Sequence, residues 1–408
     1  MKHNISTPPP CPRASHVIGL CKKFVYDSTF TYPLVIRTGK GCYIEDIDGN
    51  IFLDFSSNIG ACPLGYSHPE ILQVLAEYSK NGAHKIAGQD FYSEEHALLA
   101  SKVSSITPEN FKAFFVNSGA EAVENAIKIA YSRMGPLPGV SCTGAFHGRT
   151  LGALTFTFSK PVQKANFPEF AVKRIKFCTA DGDPDIESIE PLLKENKAAF
   201  ILSEVVQGEG GYNFASLQFM KNLSKFSKLY GVPLILDEVQ SGMGRTGRWW
   251  AFEHYDIKPD IMSAAKALQV GAAIYHRDLE PARQGVLSST WGGGSRIDMA
   301  VGAKTIDIIA RDRLLENAAK IGSVLKKSLQ DIVGKGGLVD VRGLGLMIGV
   351  EFDTKQNRDS KLVSLFKKGL LLLPAGQKAM RMIPPLIIND EEAQEGLEII
   401  DEVLRSSQ

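Results

Sequence analysis

The sequence predicts an α/β fold. A large domain with a mostly parallel sheet is covered by helices, and a smaller α+β domain is built from the N- and C-terminal segments. From about residue 70 onward, helical patterns alternate with short apolar runs at residues 113–116, 199–206 and 234–236, as in a parallel sheet with helical crossovers. The run Val232-Pro233-Leu234-Ile235-Leu236 ends abruptly in Asp237-Glu238 and breaks into a Gly-rich stretch at 241–247, so it reads as a buried strand. Carboxylates at the carboxyl end of such a strand lie where open α/β sheets place their ligands. The length of 408 residues allows more than one domain. The expected division is an N-terminal arm and part of the small domain at 1–60, the large domain at 61–295, and the C-terminal small domain at 296–408.

Taken in order, the first thirty residues or so are Pro-rich and are expected to form an irregular arm. Residues 43–55 carry an Asp-Gly-Asn turn between two apolar runs and predict a hairpin. A long helical pattern covers about 299–329, and Gly336-Gly337 then breaks it. The stretch from Leu338 to Phe352 is read as two strands joined by glycines. Its Gly343-Leu344-Gly345 faintly suggests a dinucleotide loop, but a strand follows where a helix would be needed.

Composition narrows the function classes. Hydrophobic content of 44% and charged content of 22% are ordinary for a globular enzyme, and a net charge of +1 leaves no electrostatic footprint for nucleic acid or acidic membranes. The six cysteines are scattered, without C-x-x-C or histidine partners at metal spacing, and read as reduced, packed thiols. No metal site is expected. The N-terminus lacks the apolar stretch of a signal peptide and no run approaches a membrane span, so the expectation is a soluble cytoplasmic protein.

Two segments carry the chemistry. Asp237 terminates its strand, and Lys266 follows the small and apolar run Ile261-Met262-Ser263-Ala264-Ala265. Burial makes an ammonium easier to deprotonate, and a neutral amine can form a Schiff base with an aldehyde. An aldehyde for the lysine and a pyridine nitrogen for the aspartate together suggest pyridoxal phosphate. Ser118-Gly119-Ala120 joins a strand to a helix, where unpaired N–H groups can hold a phosphate; a plain capped helix would look nearly the same. Phe146, between small residues, can stack on a flat ring, and Arg149 can clamp a carboxylate. His147 reads as a packed or hydrogen-bonding residue and is assigned no catalysis. Glu204 and Glu209 fall at another strand end, and Thr290 offers a hydroxyl in a loop. Arg381, within an apolar strand, implies either an internal ion pair or a substrate carboxylate.

In order and spacing, Asn117-Ser118-Gly119-Ala120-Glu121-Ala122, Phe146-His147-Gly148-Arg149, Asp237-Glu238-Val239-Gln240-Ser241-Gly242, Gly244-Arg245-Thr246-Gly247, Lys266 and Thr290-Trp291-Gly292-Gly293 resemble the class III aminotransferases. These are pyridoxal phosphate enzymes of fold type I. The resemblance implies that Lys266 holds the cofactor and later shuttles the proton, while Asp237 pairs with the pyridine nitrogen. Val239 and Phe146 would sandwich the ring, and Gln240 would reach its phenolic oxygen. Ser118, Gly119 and Ala120 would hold the phosphate, joined by Thr290 from the neighbouring subunit of a homodimer. Arg149 looks like the residue for the distal carboxylate of 2-oxoglutarate, Arg381 like the α-carboxylate arginine, and Glu209 like the switch glutamate that neutralises it. The usual glycine-rich run after the lysine is replaced here by Ala267-Leu268-Gln269-Val270. That pattern, with Leu373-Pro374-Ala375-Gly376, is similar to lysine ε-aminotransferases.

The reaction expected from the resemblance is a ping-pong transfer of an ω-amino group, such as the ε-amine of L-lysine or the amine of 4-aminobutyrate, to 2-oxoglutarate. The alternative within the family is an amino-acid racemase. A binding protein that kept the fold but lost the chemistry is opposed by the intact Asp237 and Lys266. A nicotinamide dehydrogenase is set aside for want of a glycine fingerprint between strand and helix.

Overall fold

The computed structural model describes residues 2–26, 28–29, 32–80, 85–88, 90–179, 190–288 and 291–405. Three strands open the chain: β1 (Ile36–Lys40), β2 (Tyr43–Asp46) and β3 (Ile51–Asp54). The hairpin expected at 43–55 is β2–β3, antiparallel with Tyr43 opposite Leu53. The central strands follow as β4 (Phe111–Val116), β5 (Gly139–Cys142), β6 (Val172–Ile175) and β7 (Phe200–Glu204). Next are a two-stranded hairpin, β8 (Val206–Gln207) and β9 (Asn213–Phe214), and then β10 (Leu234–Asp237), β11 (Ile261–Ala264) and β12 (Gly271–His276). The C-terminal strands are β13 (Leu338–Leu344), β14 (Met347–Phe352), β15 (Leu370–Leu371), β16 (Leu373–Ala375) and β17 (Ala379–Met382).

The seven-stranded sheet has the order β4-β12-β11-β10-β7-β5-β6. Only β12 runs against its neighbours, so the predicted mostly parallel sheet is what forms. Leu234, Ile235 and Leu236 are essentially inaccessible, because helices cover both faces and leave no polar side for alternation. Parallel pairing also aligns the strand ends: Asp237 sits opposite Glu204 on one side and Ser263 on the other. Lys266 lies two residues beyond the end of β11. The acids and the lysine therefore meet at the carboxyl edge of the sheet. A second sheet, β13-β14-β17-β16, carries Arg381 on β17, while β15 joins the N-terminal strands. Among the described residues no helix is long and apolar enough to cross a membrane.

Three expectations need correction. The N-terminal arm is not wholly irregular: Pro12–Phe24 is a helix with proline in its first turn. Ala14, Val17, Ile18, Cys21 and Phe24 recur at helical spacing, although Ala14 is the helix's one buried residue and the prolines ahead of it suggest an irregular segment. The helical stretch at 299–329 is two helices, Arg296–Arg311 and Leu314–Gln330, broken where Arg313 takes φ +55°. The first packs on the helices Pro69–Lys80 and Glu94–Ser105 and the second on β13, and one straight rod does not serve both. The run at 199–206 stops at Glu204, and Val206 pairs instead with Phe214 in the small hairpin.

Candidate active site

A cavity of about 530 Å³ opens at the carboxyl edge of the sheet. Asp237, 6% exposed, lies on its floor. One carboxylate oxygen, Oδ2, faces His147 Nδ1 at 2.8 Å; the other accepts from Ser263 Oγ at 3.0 Å and from the Val239 backbone at 3.1 Å. These donors fix the carboxylate in place. Since Nδ1 donates to Asp237, His147 is held as a positioning group, and its Nε2 is buried with no partner. Glu204 lies alongside, accepting from the backbone N–H of Phe146 (3.0 Å) and Gly208 (2.8 Å). Burial, reinforced by the charge of Asp237, pushes its carboxyl up to about 7 against the pull of His147 and these hydrogen bonds. Glu238 is buried on the far side of the strand end, where it accepts from Ser241 and from the Phe252 backbone.

Lys266 has φ +48° in the tight turn after β11, and its side chain faces the cavity. Burial, aided by the charge of Arg381, lowers its ammonium to about 8, while Asp237, Glu209 and Glu204 oppose that shift. At pH 7.5 a group titrating at about 8 is roughly one-quarter neutral, against about one part in a thousand for an ordinary lysine. Gln269 holds the turn: its Nε2 donates to the carbonyl of Lys266 at 3.0 Å and to that of Ala61 at 2.9 Å. Gln269 itself has φ +69°, a conformation that normally selects glycine.

At the start of the helix Gly119–Met134 the capped helix is present, and it leaves free the N–H groups that a phosphate would use. Ser118 Oγ accepts from the Glu121 N–H at 3.2 Å, and Glu121 Oε2 accepts from the N–H groups of Ser118 (3.1 Å) and Asn117 (2.7 Å), a reciprocal cap. The N–H groups of Gly119 and Ala120 have no helical carbonyl behind them and border the cavity. Gly119 must lack a side chain, because a Cβ there would meet Val239 Cγ1 at 2.8 Å. Phe146 and Val239 both line the cavity, and so does Gln240, whose Oε1 is buried without a partner. Arg149 is exposed at the mouth with its guanidinium carbon 5.1 Å from the Phe146 ring centre.

Glu209 also borders the cavity, and Arg381 Nη1 stands 2.7 Å from its Oε1. Both are largely buried, at 11% and 6% side-chain exposure. The approach is off the hydrogen-bond direction, so Arg381 Nε and Nη1 make no hydrogen bond. Burial works to raise the Glu209 carboxyl, but Arg381 and Lys160 outweigh it and hold the group below its ordinary value. The sequence left two readings of Arg381 open, and the internal ion pair is the one present. Thr290 lies outside the described residues. Glu204, Gln269 and Lys160 were not assigned roles from the sequence. The strand-end position of Glu204 and the place of Gln269 in the run that replaces the usual glycines carried a signal, and Lys160 carried none.

A desolvated lysine, a fixed aspartate, an unpartnered amide oxygen and a helix N-terminus around one cavity fit pyridoxal phosphate, and with this sheet they define a pyridoxal phosphate-dependent enzyme of fold type I. The family model of the class-III aminotransferases matches residues 25–404, and the chain belongs to that family. It is similar to the acetylornithine aminotransferase of Caldanaerobacter subterraneus subsp. tengcongensis, with 34% identity over 94% of this chain and 98% of that protein. It is also similar to the alanine/serine racemase of Pyrococcus horikoshii, with 31% identity over 98% of this chain and 92% of that protein. Among solved structures, the lysine aminotransferase of M. tuberculosis superposes with a TM-score of 0.88 and 27% identity, covering 97% of this chain and all of that one (100%).

Proposed function

We propose that this aminotransferase takes the terminal amine of an ω-amino acid and passes it to 2-oxoglutarate by a ping-pong route. The observation that carries this reading is the Glu209–Arg381 ion pair at 2.7 Å. With Arg381 neutralised, no described residue of the cavity offers an incoming donor a free buried cation beside Lys266, which favours an amine-bearing end without a carboxylate over one with an α-carboxylate. When Glu209 withdraws, Arg381 is released to hold the α-carboxylate of 2-oxoglutarate, and Arg149 takes its distal carboxylate.

Bound pyridoxal phosphate supplies an electron sink for the carbanion formed at the substrate carbon. The protein supplies the rest. Lys266 takes the proton from that carbon and would pass it to the cofactor's former aldehyde carbon, with the reverse path serving the oxo acid; its lowered ammonium permits this near neutral pH. Asp237, oriented by His147 and Ser263, keeps the ring nitrogen protonated. Phe146 and Val239 would hold the ring, Gln240 would bond its phenolic oxygen, and Ser118, Gly119 and Ala120 would hold the phosphate. In this reading the enzyme is a cytoplasmic homodimer, and Thr290 of the partner subunit completes the phosphate site.

The names of the relatives support a class of donor. The acetylornithine name of the relatives and the lysine and ornithine names of the structural neighbours share a primary amine at the end of an aliphatic chain. The test is a half-reaction without oxo acid, adding L-lysine, L-ornithine, N-acetyl-L-ornithine, 4-aminobutyrate and L-alanine separately while following the absorbance of the bound cofactor. Rapid conversion by an ω-amine supports the proposal. The racemase relative favours a second reading: no conversion with any donor, together with loss of optical rotation from an α-amino acid, would establish it.

A further inference from the structure

Glu209 is held by two cations. Arg381 approaches Oε1 at 2.7 Å, and Lys160 Nζ approaches Oε2 at 3.3 Å. Their surroundings differ. Arg381 is buried on β17 with 6% of its side chain exposed, whereas Lys160, just beyond the short helix Leu151–Thr155, is 46% exposed. The backbone of Glu209 is anchored, since its carbonyl accepts from the Gly376 N–H at 2.8 Å. Departure from Arg381 is therefore a rotation of the side chain.

A carboxylate taken from a buried arginine and left without a cation would be strongly disfavoured. Among the described residues, Arg381 and Lys160 are the cations within ion-pair distance of Glu209. We propose that Lys160 is the second docking point of Glu209, a positioning residue that receives its carboxylate while Arg381 holds the α-carboxylate of the oxo acid. This rests on the donor-and-acceptor reading above. The contact at 3.3 Å is then the near end of a short path: the carboxylate turns outward, exchanges a buried partner for one at the rim, and stays neutralised throughout. Lys160 thereby favours the arrangement that accepts 2-oxoglutarate over the one that accepts an ω-amine.

The test compares the two half-reactions in the holoenzyme, with L-lysine and N-acetyl-L-ornithine as donors and 2-oxoglutarate as acceptor. In Lys160→Met, the ratio of kcat/KM for 2-oxoglutarate to that for the better donor should fall about 5-fold, as expected for losing a partly exposed ion pair, with the change in KM. Lys160→Arg should restore the ratio. In a Glu209→Gln background, Lys160→Met should add nothing, because the lysine acts through Glu209. Persistence of the effect in that background would overturn the proposal, since Lys160 would then be attracting the anionic substrate directly. An unshifted ratio in Lys160→Met beside a shifted one in Glu209→Gln would overturn the proposal alone. An unshifted ratio in Glu209→Gln would overturn the switch reading, and the proposal with it.

Discussion

Replacing Arg381 by methionine should test the ion pair at the heart of the cavity. Both partners are largely buried, at 6% and 11% side-chain exposure, so little solvent screening softens the loss. Removing one member of such a pair costs about 3–5 kcal/mol, because the other is left charged and uncompensated. Lys160, 46% exposed, can receive the carboxylate and offsets part of this. The deficit should depend on pH. In the wild-type protein the Glu209 carboxyl is held below its ordinary value, so its stabilisation is present above the unfolded pKa and lost as pH falls through the folded one. In Arg381→Met burial is opposed by the half-exposed Lys160 alone, and the carboxyl rises. Its stabilisation is then present at acid pH and lost as pH rises. The gap between the two proteins should therefore be widest near pH 8 and narrow towards pH 5. Urea denaturation at both values, with the slope m checked for constancy, measures it. The double variant Arg381→Met/Glu209→Gln should recover much of the loss at pH 8. A deficit below about 1 kcal/mol at both pH values would refute the assignment of this contact as a buried ion pair.

Three further outcomes follow from the same geometry. The rate at which Lys266 in cofactor-free enzyme captures added pyridoxal phosphate should rise with pH through about 8, and Arg381→Met should move that midpoint upward by removing a neighbouring positive charge. Glu204 and Glu238 are each pushed up to about 7, mainly by burial, so their stabilisation is present below the unfolded value and fades as pH rises through about 7. Glu204→Gln should flatten part of that slope in pH-dependent denaturation. Gly119→Ala should cost about 1–3 kcal/mol in denaturant unfolding, because its Cβ would stand 2.8 Å from Val239 Cγ1, and Val239→Ala in the same chain should relieve it.

The part of the site legible in the sequence is the part written locally. Asp237 announced itself because an apolar run, a carboxylate pair and a glycine-rich break follow one another without interruption. Lys266 and the Ser118 turn were readable for the same reason. What escaped depends on register and on the third dimension. Glu204 faces Asp237 only because β7 and β10 pair in that register, which no local pattern specifies. Lys160 reaches Glu209 across 49 positions of sequence and looks like any exposed lysine. The helix Pro12–Phe24 escaped because the prolines ahead of it masked the helical spacing of Ala14, Val17, Ile18 and Cys21, and the break at Arg313 because the apolar period continues across it. The arginine on β17 was visible as an anomaly and the resemblance named Glu209 as its partner, but their contact follows only from the second sheet lying beside the first.

The amide of Gln269 has a mechanical consequence. By donating to the carbonyls of both Lys266 and Ala61, it rivets the Lys266 turn to a segment more than two hundred positions earlier, which also walls the cavity. A glycine-rich turn would add hinges at this spot; here a single side chain bolts two stretches of backbone into one rigid frame. Travel within the cavity then falls to side-chain torsions, those of Lys266 on one side and Glu209 on the other, and the main chain serves as their fixed mounting.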